Sequence, residues 1–212
     1  MRWIRFDIID LILMKKTFAL IFLIFGLLSS AQVPILKLSS PVGKNQNWPD
    51  TLNKNEICII YEINGGWSAY DFCTYYFIKN DGKVTAYRQE KAKSYLKDKV
   101  SDKATEKIAV EDELKQRISK LINSNQLNEL LKFKQEDFKI KTSQDPNTIP
   151  PPCMIHDASG YKLTFIQNNK QSLYSYYAPQ YHYDKCNNKL INKPVLKTFI
   201  DVLELLSGKS YY

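Results

Sequence analysis

Two stretches of the chain combine β-branched and aromatic residues with the turn signals of antiparallel strands. The first, residues 58–89, reads CIIYEINGGWSAYDFCTYYFIKNDGKVTAYRQ and has turn signals at 64–66 and 80–82. This pattern predicts a three-stranded meander. The second, residues 161–179, has a turn signal at Asn168 and Asn169 and predicts a hairpin.

The position of the first turn sets the register of the meander. A two-residue turn at Gly65 and Gly66 places Cys58 opposite Cys73, and a turn at Asn64 and Gly65 makes the two cysteines diagonal neighbours. In both registers the cysteines share one face of the sheet, because side chains alternate along a strand. The other face is predicted to be a core face, with Ile57, Ile59, Tyr61, Ile63, Tyr70 and Phe72.

The apolar residues elsewhere recur with the period of a helix and predict three helices. One has the acidic residues 111–113 in its first turn, a short one covers 126–133, and one covers 194–206, with Gly208 beyond its end. The residues predicted to point inward are Leu114, Ile118, Leu121, Ile122, Leu127, Leu130, Leu131, Val195, Phe199, Val202, Leu203 and Leu206.

Together these elements predict an α+β fold, in which an antiparallel sheet (meander plus hairpin) carries helices on one face. The proline-rich segment 142–152 separates two parts that share the order hairpin then helix. The fragments FIKN at 77–80 and FIQN at 165–168 are similar, and we interpret the two parts as hairpin–helix halves related by duplication.

The start of the chain resembles a secretory signal. From Met14 it reads MKKTFALIFLIFGLLSSAQ, with two lysines, a twelve-residue apolar run and small residues before a cut ahead of Gln32. Twelve helical residues span about 18 Å, too short for a bilayer core of roughly 30 Å. We therefore expect residues 1–31 to be a leader whose true start is Met14, and residues 32–212 to be one exported α+β domain, periplasmic or extracellular, without a stable membrane span.

The formal net charge of the whole chain is +8, and removing 1–31 takes away four basic and two acidic residues, which leaves +6. Outside the cytoplasm, this balance favours anionic envelope surfaces, polysaccharides or an acidic protein partner over nucleic acid. The densest basic stretch, 83–103, is interpreted as a solvated loop.

The four cysteines are predicted to form disulfides, because an even number in an exported domain is typical of cross-links. Cys58 is expected to pair with Cys73 across the first hairpin, which leaves Cys153 to pair with Cys186. By the chain-entropy model, a bond between Cys153 and Cys186 contributes about 3.5 kcal/mol to the free energy of unfolding, because it closes the loop between them in the unfolded chain.

An alternative use of the late cysteines is a structural zinc site. Cys153, His156, His182 and Cys186 have the donor types of a tetrahedral site, although their spacing matches no finger signature. Alongside a disulfide, the two histidines are interpreted either as surface residues on loops or as a pH-sensitive or weakly metal-binding pair.

The sequence contains none of the motifs G-x-S-x-G, H-E-x-x-H, Walker A or the dinucleotide glycine pattern. We predict no catalytic residues and no cofactor, and the sequence favours a role other than catalysis without deciding against an enzyme. A cysteine nucleophile would require Cys153 or Cys186 to be unpaired beside a histidine.

Five tyrosines lie close together in the second hairpin and just after it: Tyr174, Tyr176, Tyr177, Tyr181 and Tyr183. Exposed tyrosines suit recognition, because each ring offers a large contact area and a hydroxyl at little entropic cost. Three function classes follow: a disulfide-braced recognition or inhibitor-like module that binds another protein, an envelope structural or glycan-binding protein, and a hydrolase of unrecognised type. The sequence favours the first and does not indicate an oligomeric state.

Overall fold

The computed structural model describes residues 33–43, 48–140 and 153–208. The predicted leader at 1–31 and the proline-rich segment 142–152 lie outside these residues. Within the described ranges, no helix has the length and apolar character needed to span a bilayer.

Seven antiparallel strands form one sheet with the order β1-β7-β6-β2-β3-β4-β5. Their bounds are Ser40–Pro41 (β1), Ile57–Gly65 (β2), Tyr70–Ile78 (β3), Val84–Ala92 (β4), Glu106–Ile108 (β5), Ser159–Gln167 (β6) and Lys170–Tyr177 (β7). The predicted meander is β2 to β4, extended by β5, and the predicted hairpin is β6 with β7. The α+β fold with a meander and a hairpin is confirmed.

In the described residues, four α-helices and two short 3-10 helices accompany the sheet. Their bounds are Asp112–Ile122 (α1), Asn125–Leu130 (α2), Pro179–Asp184 (α3), Lys193–Ser207 (α4) and, for the 3-10 helices, Ser94–Leu96 and Gln135–Phe138. The helix at the C-terminus of the described chain ends at Gly208, whose φ of 69° allows the left-handed cap. The three predicted helices are thus confirmed, and α3 was not predicted.

The main core lies between one face of the sheet and helices α1, α2 and α4. Ile57 and Ile59 from β2 and Leu163 and Phe165 from β6 pack there against the helices. All the helical residues predicted to point inward are buried in this core or packed against it.

The register of the first hairpin differs from the prediction. Cys58 lies opposite Phe77 and Cys73 opposite Glu62, and a four-residue loop, 66–69, connects the strands. The shift is an even number of residues, so the assignment of side chains to the two faces holds. Phe72 is nevertheless 41% exposed rather than part of the core.

The two similar fragments do not occupy equivalent places. Phe77 packs in a smaller cluster on the sheet face opposite the helices, whereas Phe165 packs in the main core. A duplicated hairpin would keep its phenylalanine on the same face. The fragment similarity therefore gives no support to duplication, although each part does order a hairpin before a helix.

One end of the sheet is tied together by polar side chains, and we call it the closed end: residues 48–56, 79–83 and 167–169. The Gln167 side chain is buried and accepts from the Leu36 N–H at 2.7 Å. It donates to the carbonyls of Pro34 and Asn55, each at 2.9 Å. This one amide joins three chain segments.

A second set of contacts at the closed end centres on Lys79. Its Nζ lies 3.4 Å from the Glu56 carboxylate, 3.5 Å from Asp50 and 2.7 Å from the Thr51 carbonyl. Burial by itself raises the pKa of Glu56, but the Asn53 N–H at 2.9 Å and the Lys79 cation outweigh it and hold that pKa below its ordinary value. The segment 48–56 is thereby fixed to the sheet.

Candidate functional site

Cys153 and Cys186 are joined by a disulfide, with their Cα atoms 5.6 Å apart. This predicted pairing is confirmed. The alternative zinc site is wrong, because both of its sulfur ligands are bonded to each other and are not thiolates. In the described part of the chain, no three His, Cys, Asp or Glu residues are grouped so as to hold a metal ion.

The predicted pairing of Cys58 with Cys73 is wrong, because both thiols are free and buried. The register explains this difference. Cys73 lies opposite Glu62, four residues along β2 from Cys58. Four strand residues span roughly 13 Å, whereas bonded cysteines need Cα atoms within about 7 Å.

The free thiols are poorly suited to catalysis. Burial raises the pKa of Cys58, and the neighbouring Cys73 thiol raises it further. Burial also raises the pKa of Cys73. Since the thiolate is the nucleophilic form, these side chains act as small apolar residues in the cluster beneath Trp48 and Leu52.

Tyr174 is a core residue and not part of a recognition surface. It is 1% exposed, and its hydroxyl lies 3.0 Å from the carbonyls of both Leu130 and Phe133. Burial raises the pKa of Tyr174 to about 12. Its role is to join β7 to the end of α2.

The other predicted tyrosines are divided between packing and the surface. Tyr176 is half-buried, with its ring 5.4 Å from that of Phe138. Tyr183 packs against the main core, and its carbonyl accepts from Lys193 at 2.6 Å. Tyr177 and Tyr181 use their hydroxyls to hold the segment 153–158: the Tyr177 oxygen accepts from the Ala158 N–H at 3.0 Å, and Tyr181 donates to the Met154 carbonyl at 3.3 Å.

His182 belongs to the same contacts, whereas His156 does not. The His182 ring has Nδ1 3.0 Å from the Tyr177 carbonyl and Nε2 3.3 Å from the Cys153 carbonyl. His156 is exposed on the segment 153–158. The structure therefore places the disulfide, Tyr177, Tyr181 and His182 around one short segment, and their shared role is to fix it.

A different surface emerges at the sheet end away from the closed end. We call it the open end: residues 65–70, 93–96 and 153–158. Lys93 is buried there, and its Nζ donates to the carbonyls of Gly66 at 2.8 Å and Gly65 at 3.1 Å. Its N–H donates to the Ala69 carbonyl at 3.1 Å. One lysine thus fixes the β2–β3 loop at its beginning and at its end.

The absence of a side chain at Gly65 lets the β2–β3 loop pack closely against segment 153–158. Its φ is 96°, and a Cβ built there would lie 2.7 Å from the Ala158 carbonyl oxygen. Any other residue would clash with the backbone of segment 153–158 and would be strained at this φ. The β2–β3 loop and segment 153–158 therefore meet at Gly65.

The loop fixed in this way displays a tryptophan. Trp67 is 91% exposed, and Tyr95, in the 3-10 helix next to Lys93, is 73% exposed. Exposed charges of both signs border the loop: Lys97, Asp98 and Lys99 after β4, and Asp157 on segment 153–158. The open end therefore combines large aromatic surfaces with charged residues.

The residues of this surface were not among those predicted from the sequence. The tryptophan between Gly-Gly and Ser-Ala lies in a turn signal, and a bulky indole in a turn is itself a signal of display. Nothing in the sequence indicates that Lys93 reaches the loop, since 27 residues separate it from Gly66. A scan against protein-family models finds no family that matches the chain, and a search of curated proteins finds no significant match.

Proposed function

We propose that this chain is an exported recognition module that binds another protein through its open end. The observation that carries the proposal is the nearly complete exposure of Trp67 on a loop whose backbone is fixed. Tryptophan is enriched among the few residues that dominate binding energy in protein interfaces. A monomer gains nothing in stability from an indole that lies in water.

The fixed backbone adds to this argument. Binding is weakened by every loop and side chain that must be ordered in the complex. Here Lys93 orders the β2–β3 loop in advance through three hydrogen bonds. A rigid loop that projects one large side chain is also the arrangement expected of an inhibitor-like module, which inserts that side chain into a cleft of its target.

The charge around the loop indicates the kind of partner. The net positive charge of the chain, together with the exposed lysines at 97 and 99, favours a partner with an apolar pocket surrounded by acidic residues. Exposed charges of this kind act mainly on the rate of association and are screened by salt. We therefore expect an affinity that falls as the ionic strength rises.

A second candidate function, glycan binding, has one observation in its favour. A cavity of about 370 Å³ at the closed end is lined by Trp48, Asn53, Asn168 and Asn169. An indole face together with amide groups provides the apolar contact and the hydrogen bonds that a sugar would use. This site lies apart from Trp67, so variants separate the two candidates.

Site-specific photocrosslinking in the native host tests the main proposal. A benzophenone side chain at Ser68, next to Trp67, should give one discrete protein adduct, and the same group at Asn123, an exposed residue after α1, should not. The adduct should disappear when Trp67→Ala is combined with the benzophenone side chain at position 68. The partner identified from it should then bind the purified domain at least tenfold more weakly after Trp67→Ala.

Three results would overturn the proposal. They are equal crosslinking from positions 68 and 123, an identified partner whose affinity is unchanged by Trp67→Ala, and binding to anionic vesicles in place of a protein. A glycan array on which Trp48→Ala removes binding and Trp67→Ala does not would favour the second candidate instead.

A further inference from the structure

A second interaction site follows from the outer edge of β7, the strand between β6 and β1. The β6–β7 hairpin turns at Asn168 and Asn169, which have φ values of 51° and 60°. This two-residue turn makes Gln167 and Lys170 a hydrogen-bonded pair. Starting with Lys170, the backbone N–H and C=O groups of every second residue therefore bond to β6. The backbone groups of the residues between them point to the outer edge; these residues are Gln171, Leu173, Ser175 and Tyr177.

Contacts along the edge agree with this assignment. The Val42 N–H donates to the Asn169 carbonyl at 3.1 Å, and β1 pairs Ser40 with Gln171. At the other end, the Tyr177 carbonyl lies 3.0 Å from His182 Nδ1. Gln171 and Tyr177 thus already have neighbours on the outer side.

Ser175 is paired by a side chain instead of a strand. Its N–H donates to Gln135 Oε1 at 2.7 Å, and its carbonyl accepts from Gln135 Nε2 at 2.8 Å. A primary amide presents the same donor and acceptor as a peptide group. Gln135 therefore occupies the position that one residue of an added strand would occupy.

Leu173 is the open position between these contacts. Among the described residues, none is in strand register with it on the outer side, because β1 begins at Ser40, opposite Gln171. Leu173 is 39% exposed. A cavity of about 740 Å³ lies along residues 171–174 and is bounded on its far side by residues 132–137.

A second cavity continues the same edge. It has a volume of about 530 Å³ and is lined by Phe138, Tyr176, Tyr177 and His182. Gln135 and Glu136 border both cavities. The Gln135 side chain, which is bonded to Ser175, is thus the boundary between two parts of one groove along β7. The volumes of both cavities fall within the range of about 300–1,000 Å³ seen for ligand pockets.

We propose that this groove binds an extended peptide of a partner protein, which adds to β7 as a strand opposite Leu173 and Ser175 after displacing the Gln135 side chain. The existing Gln135 pairing shows which chemistry fits the edge, namely a backbone amide donor and acceptor together. The aromatic cavity at 176–177 receives an apolar side chain of the peptide. This site is independent of Trp67.

A library of synthetic hexapeptides, screened on the purified domain, provides the probe. Peptides that bind should protect the Leu173 and Ser175 amides from hydrogen exchange. N-methylation of one peptide nitrogen, the one that donates to the Leu173 carbonyl, should weaken binding at least tenfold, because it removes a single main-chain bond. Methylation at the adjacent nitrogen, which points away from β7, should change affinity less than threefold.

Variants of the chain test the same geometry from the other side. Leu173→Pro removes the outward N–H but no hydrogen bond to β6, so it should weaken peptide binding at least tenfold, while Leu173→Ala should stay within threefold. Gln135→Ala should strengthen binding about fivefold, because no side chain has to be displaced. Circular dichroism and the exchange protection of β6 confirm that each variant is folded.

Several outcomes would overturn the inference. They are the absence of any binding peptide, hits that tolerate both methylations, and hits lost with Trp67→Ala but kept with Leu173→Pro. A dimer in sedimentation that Leu173→Pro dissociates would assign the edge to a second copy of the chain instead. The photocrosslinking from position 68 does not depend on any of these results.

Discussion

The closed end and the open end of the sheet use the same kinds of residues for opposite purposes. At the closed end, the Trp48 ring packs over the cluster that contains Cys58, and Gln167 and Lys79 bond to neighbouring segments. At the open end, Lys93 is also buried and bonded, but the loop that it fixes holds Trp67 in solvent.

The comparison shows that residues that stabilise the fold and residues that are exposed for binding lie at different ends of the sheet. Segment 48–56 covers only one end of the sheet face opposite the helices, and the helices leave Phe72 exposed on the other face. Side chains at the open end are therefore free to serve recognition, since few of them contribute to the core. Changes at the closed end should cost stability, and changes to Trp67 should cost binding.

The largest effect is expected from the disulfide, which braces the segment 153–158 at the open end. Replacing both cysteines, Cys153→Ser with Cys186→Ser, should lower the free energy of unfolding by about 3.5 kcal/mol, because the unfolded chain gains loop entropy. Urea denaturation measures this loss. Hydrogen exchange should rise in 153–158 before it rises at 167–169.

The thiol count provides the check on this prediction. In the native chain with its disulfide unreduced, Cys58 and Cys73 should be unreactive while the protein is folded, because both are buried. After unfolding without reduction, these two thiols should react. An unfolded, unreduced protein without free thiols would contradict the pairing described here.

The next effect concerns the buried amide of the closed end. Gln167→Leu should cost about 2–3 kcal/mol, because the Leu36 N–H and the carbonyls of Pro34 and Asn55 lose their partner. Gln171→Leu, on the same hairpin, is the control and should cost less than about 0.5 kcal/mol. Equal losses in thermal unfolding would show that Gln167 does not join the closed end.

A smaller, pH-dependent effect is expected at Lys79. Opposing the effect of burial, hydrogen bonds and the Lys79 cation hold the pKa values of Glu56 and Asp50 below their ordinary values. A carboxyl whose pKa is lowered by folding stabilises the fold at any pH above its ordinary pKa, which is 4.5 for Glu56 and 3.8 for Asp50. This stability is lost as the pH falls below those values and through the lower folded-state pKa.

Lys79→Met should therefore cost about 1–2 kcal/mol at pH 7, and the difference from the native chain should shrink below about pH 4. The exposed Lys83, on the same turn, supplies the control Lys83→Met. A loss that stays constant from pH 7 to pH 3 would mean that packing of the lysine stem, and not its charge, is responsible.

The smallest effect on stability is expected for the exposed tryptophan. Trp67→Ala should change the free energy of unfolding by less than about 0.5 kcal/mol, because its ring lies in water. Trp48→Ala, at the closed end, should cost about 2 kcal/mol through lost packing. If the two substitutions cost the same, the distinction between the two ends fails.

The tyrosines of the second hairpin show the limit of reasoning from local sequence. The sequence predicted all five as candidates for a recognition surface, but the Tyr174 hydroxyl bonds to the carbonyls of Leu130 and Phe133, more than 40 residues away in the chain. Whether a tyrosine is a surface residue or a core residue depends on what packs over it, and the strand pattern does not contain that information.

The cysteines show the same limit more sharply. Cys58 and Cys73 were predicted to share a face, and they do, because the period of a strand is a local property. Their pairing depended on the length of the β2–β3 loop, and four residues instead of two move them too far apart to bond.

The amino-acid sequence was sufficient to predict the meander, the hairpin, three of the helices and the inward faces of those helices, since periodicity and turn residues act over short distances. The Cys153–Cys186 bond was predicted only as the pair left after Cys58 and Cys73, and those two cysteines do not pair. Only the tertiary structure decided the register, the free thiols, the exposure of Trp67 and the groove along β7. Each of these depends on contacts between segments far apart in the chain, such as Lys93 with Gly66 and Gln135 with Ser175.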